Sequence, residues 1–166
     1  MKNRKLIFGI ALVVLVGLWA AFRPERLLVD AKVNESLPTA ASMSNKPLAT
    51  GAFHSVAHKS AGTAAILQMA DGKRILRFTN FETSNGPDVR VYLVAADDAN
   101  DSATVTNAGF VEIAPMKGNI GDQNYDLPST LDLSKYRAVT IWCKRFSVNF
   151  ATAPLAAVSA TTAMNN

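Results

Sequence analysis

The sequence predicts an all-β fold: an antiparallel β-sandwich of about eight short strands, preceded by one N-terminal transmembrane helix. Three observations predict it. Between residues 51 and 155 the apolar pattern has short periods broken by Gly, Pro, Asn and Asp, and no stretch keeps a helical repeat for three turns. Leu6 to Phe22 is an apolar run without a charge, and it follows Lys2, Arg4 and Lys5. The chain has 166 residues, a length that suits one domain with one core.

The N-terminal run is 17 residues long, about 25 Å of helix and at the short end of what spans a bilayer. Trp19 and Phe22 stand where interfacial aromatics are enriched, and Arg23 and Arg26 end the run. A cleaved secretory signal is the competing reading, but Ala20-Ala21-Phe22 is a poor small-x-small site. The expected organisation is a cytoplasmic tail over 1–5, a signal anchor over 6–22 and a tether over 23–50. The β domain follows over 51–155 and a flexible tail over 156–166. This expectation puts the domain outside the cell or in the periplasm, on a single-pass membrane anchor.

The strands follow in order. Residues 63–69 and 73–78 flank Ala70-Asp71-Gly72, a hairpin signal. Asn85-Gly86-Pro87-Asp88 is a strong turn leading into Val89-Arg90-Val91-Tyr92-Leu93, which alternates as a half-buried strand does. Residues 96–107, rich in Asp and Asn, read as a loop. Segments 109–113, 123–127, 138–143 and 148–153 complete the set.

Charge narrows the function. The net charge is +4, yet residues 51–155 hold ten basic side chains against ten acidic ones. The domain is neutral, and a nucleic-acid partner needs a basic face. There is no phosphate-binding Gly-rich loop ending in Lys-Ser or Lys-Thr, no nucleophile elbow and no cluster of catalytic carboxylates. This argues against an enzyme. Two glycosylation sequons, at Asn34 and Asn100, are no more than chance supplies.

The densest chemistry surrounds the one cysteine, Cys143. With period two, Val139, Ile141, Cys143 and Arg145 share one face and Trp142, Lys144 and Phe146 the other. A thiol beside a guanidinium is biased toward the reactive thiolate, so Cys143 is a redox candidate with Arg145 tuning it. The simpler reading, which the residues alone favour, makes Cys143 a small buried hydrophobe. His54 and His58 open the domain; a Cys–His pair is able to ligate copper or haem iron, and Met69 or Met116 offers a thioether. No metal-binding spacing accompanies them, so the absence of any cofactor is also open, and the residues alone favour a surface or turn role for each His. The loop 116–125 carries glycines and side-chain amides that suit a tight turn or a ligand.

Several segments together resemble the DM-thirteen family, also called electron-transfer DM-thirteen. They are Leu76-Arg77-Phe78-Thr79-Asn80-Phe81, Ser84 to Leu93, Lys117 to Tyr125, Trp142-Cys143-Lys144-Arg145-Phe146 and Val148-Asn149-Phe150, in the family's order across about 51–155. The resemblance implies a β-sandwich, found in bacterial membrane-anchored proteins, with a redox role at Cys143 as bare thiol or as ligand to a group such as haem. The chain has no adjoining cytochrome-type domain, so the resemblance implies a separate redox partner protein. The rival expectation is a binding or adhesion module whose loops hold a carbohydrate, peptide or protein.

Overall fold

Alternating apolar residues and a tight turn make the hairpin that starts the first sheet. In a computed structural model, which describes residues 2–22, 29–37 and 46–158, strands β3 (Ala61–Gln68) and β4 (Arg74–Glu82) pair antiparallel from Gln68↔Arg74 onward. The turn closes through Met69 N–H to Lys73 O at 2.8 Å and Gly72 N–H to Met69 O at 2.9 Å. Gly72 takes φ +83° there, a conformation an L side chain resists.

The remaining elements are α1 (Lys2–Phe22), β1 (Lys46–Ala52), β2 (His54–Ser55), β5 (Val89–Val94), α2 (Ser102–Ala108), β6 (Phe110–Pro115), β7 (Gln123–Leu127), β8 (Ala138–Cys143), β9 (Val148–Pro154) and β10 (Ala156–Ala157). Among the described residues the strands form two antiparallel sheets, ordered β10-β1-β3-β4-β7 and β2-β9-β8-β5-β6. The expected all-β sandwich is therefore present, with β1 added within the expected tether and short β2 and β10 at the sheet edges.

The expected transmembrane helix is not. Among the described residues no helix is long and apolar enough to cross a membrane. Helix α1 begins at Lys2, so Lys2, Arg4 and Lys5 lie within it. The uncharged run from Leu6 to Phe22 covers about 25 Å of helix, against a hydrocarbon core of about 30 Å.

Two further differences concern the loops. Residues 96–107 contain α2, whose N-cap Asp101 accepts a hydrogen bond from Thr104 N–H at 2.6 Å. Its residues are mediocre helix formers, so the cap and the burial of Val105 decide the local structure. Residues 23–28 and 38–45 of the expected tether lie outside the described residues, but 29–37 runs across the domain surface as a strap.

The main core lies between the sheets. Ile66, Leu76, Phe78, Val91, Leu93, Val139 and Ile141 are fully buried in it, and Phe53, Phe78 and Phe81 meet there with ring centroids 4.9–5.0 Å apart. A second cluster covers the outer face of the other sheet, where Tyr92, Val94, Ala138 and Trp142 pack under Ala99 and Val105. This cover explains why β5 and β8 are buried on both faces rather than alternating between core and water.

Candidate functional site

Period two in β8 sends Val139, Ile141 and Cys143 into the inter-sheet core and Trp142 to the outer cluster, as the sequence predicts. Cys143 is fully buried at 0% exposure. It pairs across β5 with Val89 and across β9 with Val148. The row stops there: β8 ends at Cys143, and Arg145 lies exposed in the turn joining β8 to β9.

His58 packs on Phe150, ring centroids 3.8 Å apart and tilted by 40°. His54 Nε2 sits 2.8 Å from Asp98 Oδ1. Met69 packs with Ile75 in a small cluster apart from the cysteine, whereas Met116 packs against the core that holds Cys143. Among the described residues no three His, Cys, Asp or Glu side chains come together in a metal-holding group. With Cys143 sealed in apolar packing and His58 packed on a phenyl ring, a haem or copper ion held jointly by these two does not fit.

The open space adjoins Val89. A groove of about 530 Å³ is walled by Val29 to Ala31 of the strap, by 85–90 and by 115–118. Its volume falls in the range of small-ligand sites. Val89 lines it and is also the cross-strand partner of Cys143 in the sheet. Two of the segments that carry the family resemblance, 84–93 and 117–125, meet at this wall.

The cationic heads at the groove are already partnered. Arg90 holds Asp88 through Nε, and its Nη1 lies 2.9 Å from Glu112 Oε1. The hydrogen bond that Arg90 donates to Asp88 holds the guanidinium proton more tightly than usual. Lys117 Nζ lies 2.8 Å from Glu35 Oε1.

The strap forms the groove's second wall, and sequence composition alone does not show why it is ordered. Its backbone pairs with loop 118–122: Asn119 N–H to Ala31 O at 3.0 Å, Val33 N–H to Ile120 O and Glu35 N–H to Asp122 O, both 2.9 Å. Ile120 bridges in parallel to Lys32 and antiparallel to Glu82, so the strap extends the edge of the first sheet. Asn119, 1% exposed, accepts from Ala31 N–H at 2.7 Å and donates to Asp30 Oδ1 at 2.9 Å and Thr83 O at 3.0 Å. A Cβ on Gly121 would lie 1.9 Å from Val33 O and one on Gly118 2.3 Å from Ala31 O. These glycines are the loop's socket for the strap.

Glu35 fastens the far end. Burial opposes its charge, but hydrogen bonds from Lys117 and from Asn124 N–H outweigh burial and hold its pKa below the usual value. The loop's own backbone is closed by Gln123, which accepts from Gly118 N–H at 3.2 Å and donates to Gly118 O at 2.9 Å. Tyr125 donates its O–H to the same amide oxygen at 2.6 Å.

The remaining chemistry is on the outer face of β5, β6 and β8, where Phe110, Tyr92 and Trp142 form a column of rings. Residue types gave no sign of it, because the three are far apart in sequence and only the register of the sheet aligns them.

Comparison with known proteins agrees with the resemblance. Residues 52–155 match the family model described as Electron transfer DM13. No curated protein and no solved structure matches the chain.

Proposed function

We propose, from the premise that the chain belongs to the electron transfer DM13 family, that it is an electron-transfer-related domain in which Cys143 is the redox-capable group and the adjoining groove receives its redox partner. The family match carries the electron-transfer role and covers the sandwich from β1's last residue through β9. The observation supporting Cys143 is its placement: the chain's one thiol pairs across β8 and β5 with Val89, which lines the groove of about 530 Å³.

Burial sets how such a group works. A thiolate attacks a disulfide only when the two sulfurs meet, and a sulfur at 0% exposure meets none while the fold is closed. Exchange at Cys143 therefore requires either opening of the groove wall or passage of the electron through packed groups. The partner is a separate redox protein or small redox molecule. The binding and adhesion reading is less favoured, because the family match assigns the same sandwich to electron transfer.

The test is electron exchange between the purified chain and a one-electron metal complex, compared with Cys143→Ala, alongside thiol labelling of the folded and denatured chain. Loss of exchange in the alanine variant, with its fold intact, supports the cysteine. Unchanged exchange removes Cys143 and leaves the family's role to other groups.

A further inference from the structure

A phenol buried among apolar side chains is unusual unless its hydroxyl has a partner, because the unpaired O–H costs free energy that Phe would avoid. Tyr92 is 2% exposed in the outer cluster. Its Oη reaches toward Glu112 Oε2 at 3.4 Å, a long contact. Glu112 is already held by Arg90 Nη1 at 2.9 Å and Lys144 Nζ at 3.0 Å. On one side of the Tyr92 ring lies Phe110, centroid 4.5 Å away and nearly parallel at 13°; on the other lies Trp142, at 6.1 Å and 24°. Phe110 is 43% exposed and Trp142 is 4% exposed, so the column runs from solvent to the residue next to Cys143.

We propose that Tyr92, with Glu112 as proton acceptor and Trp142 as neighbouring ring, is a one-electron relay that opens to a partner at Phe110. The proposal rests on the electron-transfer role of the domain and not on the cysteine. A one-electron oxidant, a metal complex or the metal centre of a partner protein, docks against Phe110 and removes one electron from the Tyr92 phenol. The O–H bond breaks, its proton passes to Glu112 Oε2, and a neutral phenoxyl radical remains. The oxidant is reduced by one electron. When a one-electron donor reduces the radical, Glu112 returns the proton.

The surroundings suit both directions. Burial, with the nearby Glu112 charge adding to it, raises the Tyr92 pKa, so the phenol keeps its proton until oxidised. The hydrogen bond from Lys144, aided by Arg90, lowers the Glu112 pKa, which favours the carboxylate form that accepts the proton. Once Glu112 is neutral, Arg90 retains Asp88 but Lys144 loses its partner carboxylate, which favours return of the proton.

The test uses the full chain with Trp19→Phe and Tyr136→Phe, which removes the exposed tryptophan and a half-buried tyrosine. Photo-oxidised ruthenium tris-bipyridine serves as oxidant, and the tyrosyl radical is followed by transient absorption and electron paramagnetic resonance. We expect a tyrosyl signal whose formation slows in deuterium oxide. Tyr92→Phe should cut its yield at least ten-fold, and Glu112→Gln should slow its formation at least ten-fold. A signal that survives Tyr92→Phe, or a rate indifferent to both Glu112→Gln and deuterium, overturns the relay. Should Tyr92→Phe not fold, the Glu112→Gln and deuterium results decide. Cys143→Ala separates the two proposals: an unchanged radical supports the relay without the cysteine, and its loss gives the role to sulfur and overturns the relay.

Discussion

The cysteine face of β8 and the strap on loop 118–122 are held by different physics. Around Cys143, Val139, Ile141, Val91 and Leu93 are all at 0% exposure, and stability comes from area removed from water and from close packing. At the strap, Ala31, Val33 and Glu35 are held by backbone hydrogen bonds, one buried amide and an ion pair. The first region is closed to solvent. The second is a partly exposed seam, one wall of the groove, whose individual bonds contribute about 1 kcal/mol each. A domain of this construction keeps its sulfur shielded and its groove edge adjustable.

The largest expected effect breaks the sealed side. Leu93→Ala should destabilise the domain by about 3 kcal/mol, read as a lower unfolding midpoint in urea. Amide protection along the strap should fall only with global unfolding. Next, Gly121→Ala attacks the seam. It forces a side chain onto a backbone at φ +103° and against Val33 O, at about 2 kcal/mol. Hydrogen exchange should show the Val33 and Glu35 amides unprotected while β8 amides stay slow. Protection lost equally in both regions would show that strap and core unfold as one unit.

Cys143→Ala is smaller, about 1 kcal/mol for a modest core truncation, and its unfolding curve should shift without a change in slope. Glu35→Gln is smallest. The carboxylate is a third exposed, so solvent screening keeps its ion pair well below about 1 kcal/mol. Because the folded chain holds the Glu35 pKa below its unfolded value, its contribution is complete above the ordinary carboxylate range near about 4.3. It is lost as pH falls through the lower folded value. Strap protection in the parent should therefore drop on acidification through that window, and Glu35→Gln should lose that pH dependence.

Legibility followed the same division. Alternation in Val89 to Leu93 and in Val139 to Cys143 placed the inward rows, and Ala70-Asp71-Gly72 placed the first hairpin. The reading of Arg145 as the end of the Cys143 row missed because Lys144 to Ser147 turn the chain, and period two holds only within a strand. The loop reading of 96–107 missed α2, because a weak helix of seven residues depends on its Asp101 cap and on Val105 finding a core. Residues 29–37 carry too little apolar surface to order alone, so nothing local marked them as a strap.

By itself the sequence determined what short-range rules control: strands from their alternation, turns from Gly, Pro and Asn, a neutral domain from its charges, and the family from ordered motifs. Tertiary structure decided which sequence-distant groups meet. It stacked Phe110, Tyr92 and Trp142 through strand register, set Val89 in the groove wall and opposite Cys143, and seated the strap on Gly118 and Gly121. Those outcomes depend on burial and on bonds between residues tens of positions apart, which no local pattern encodes.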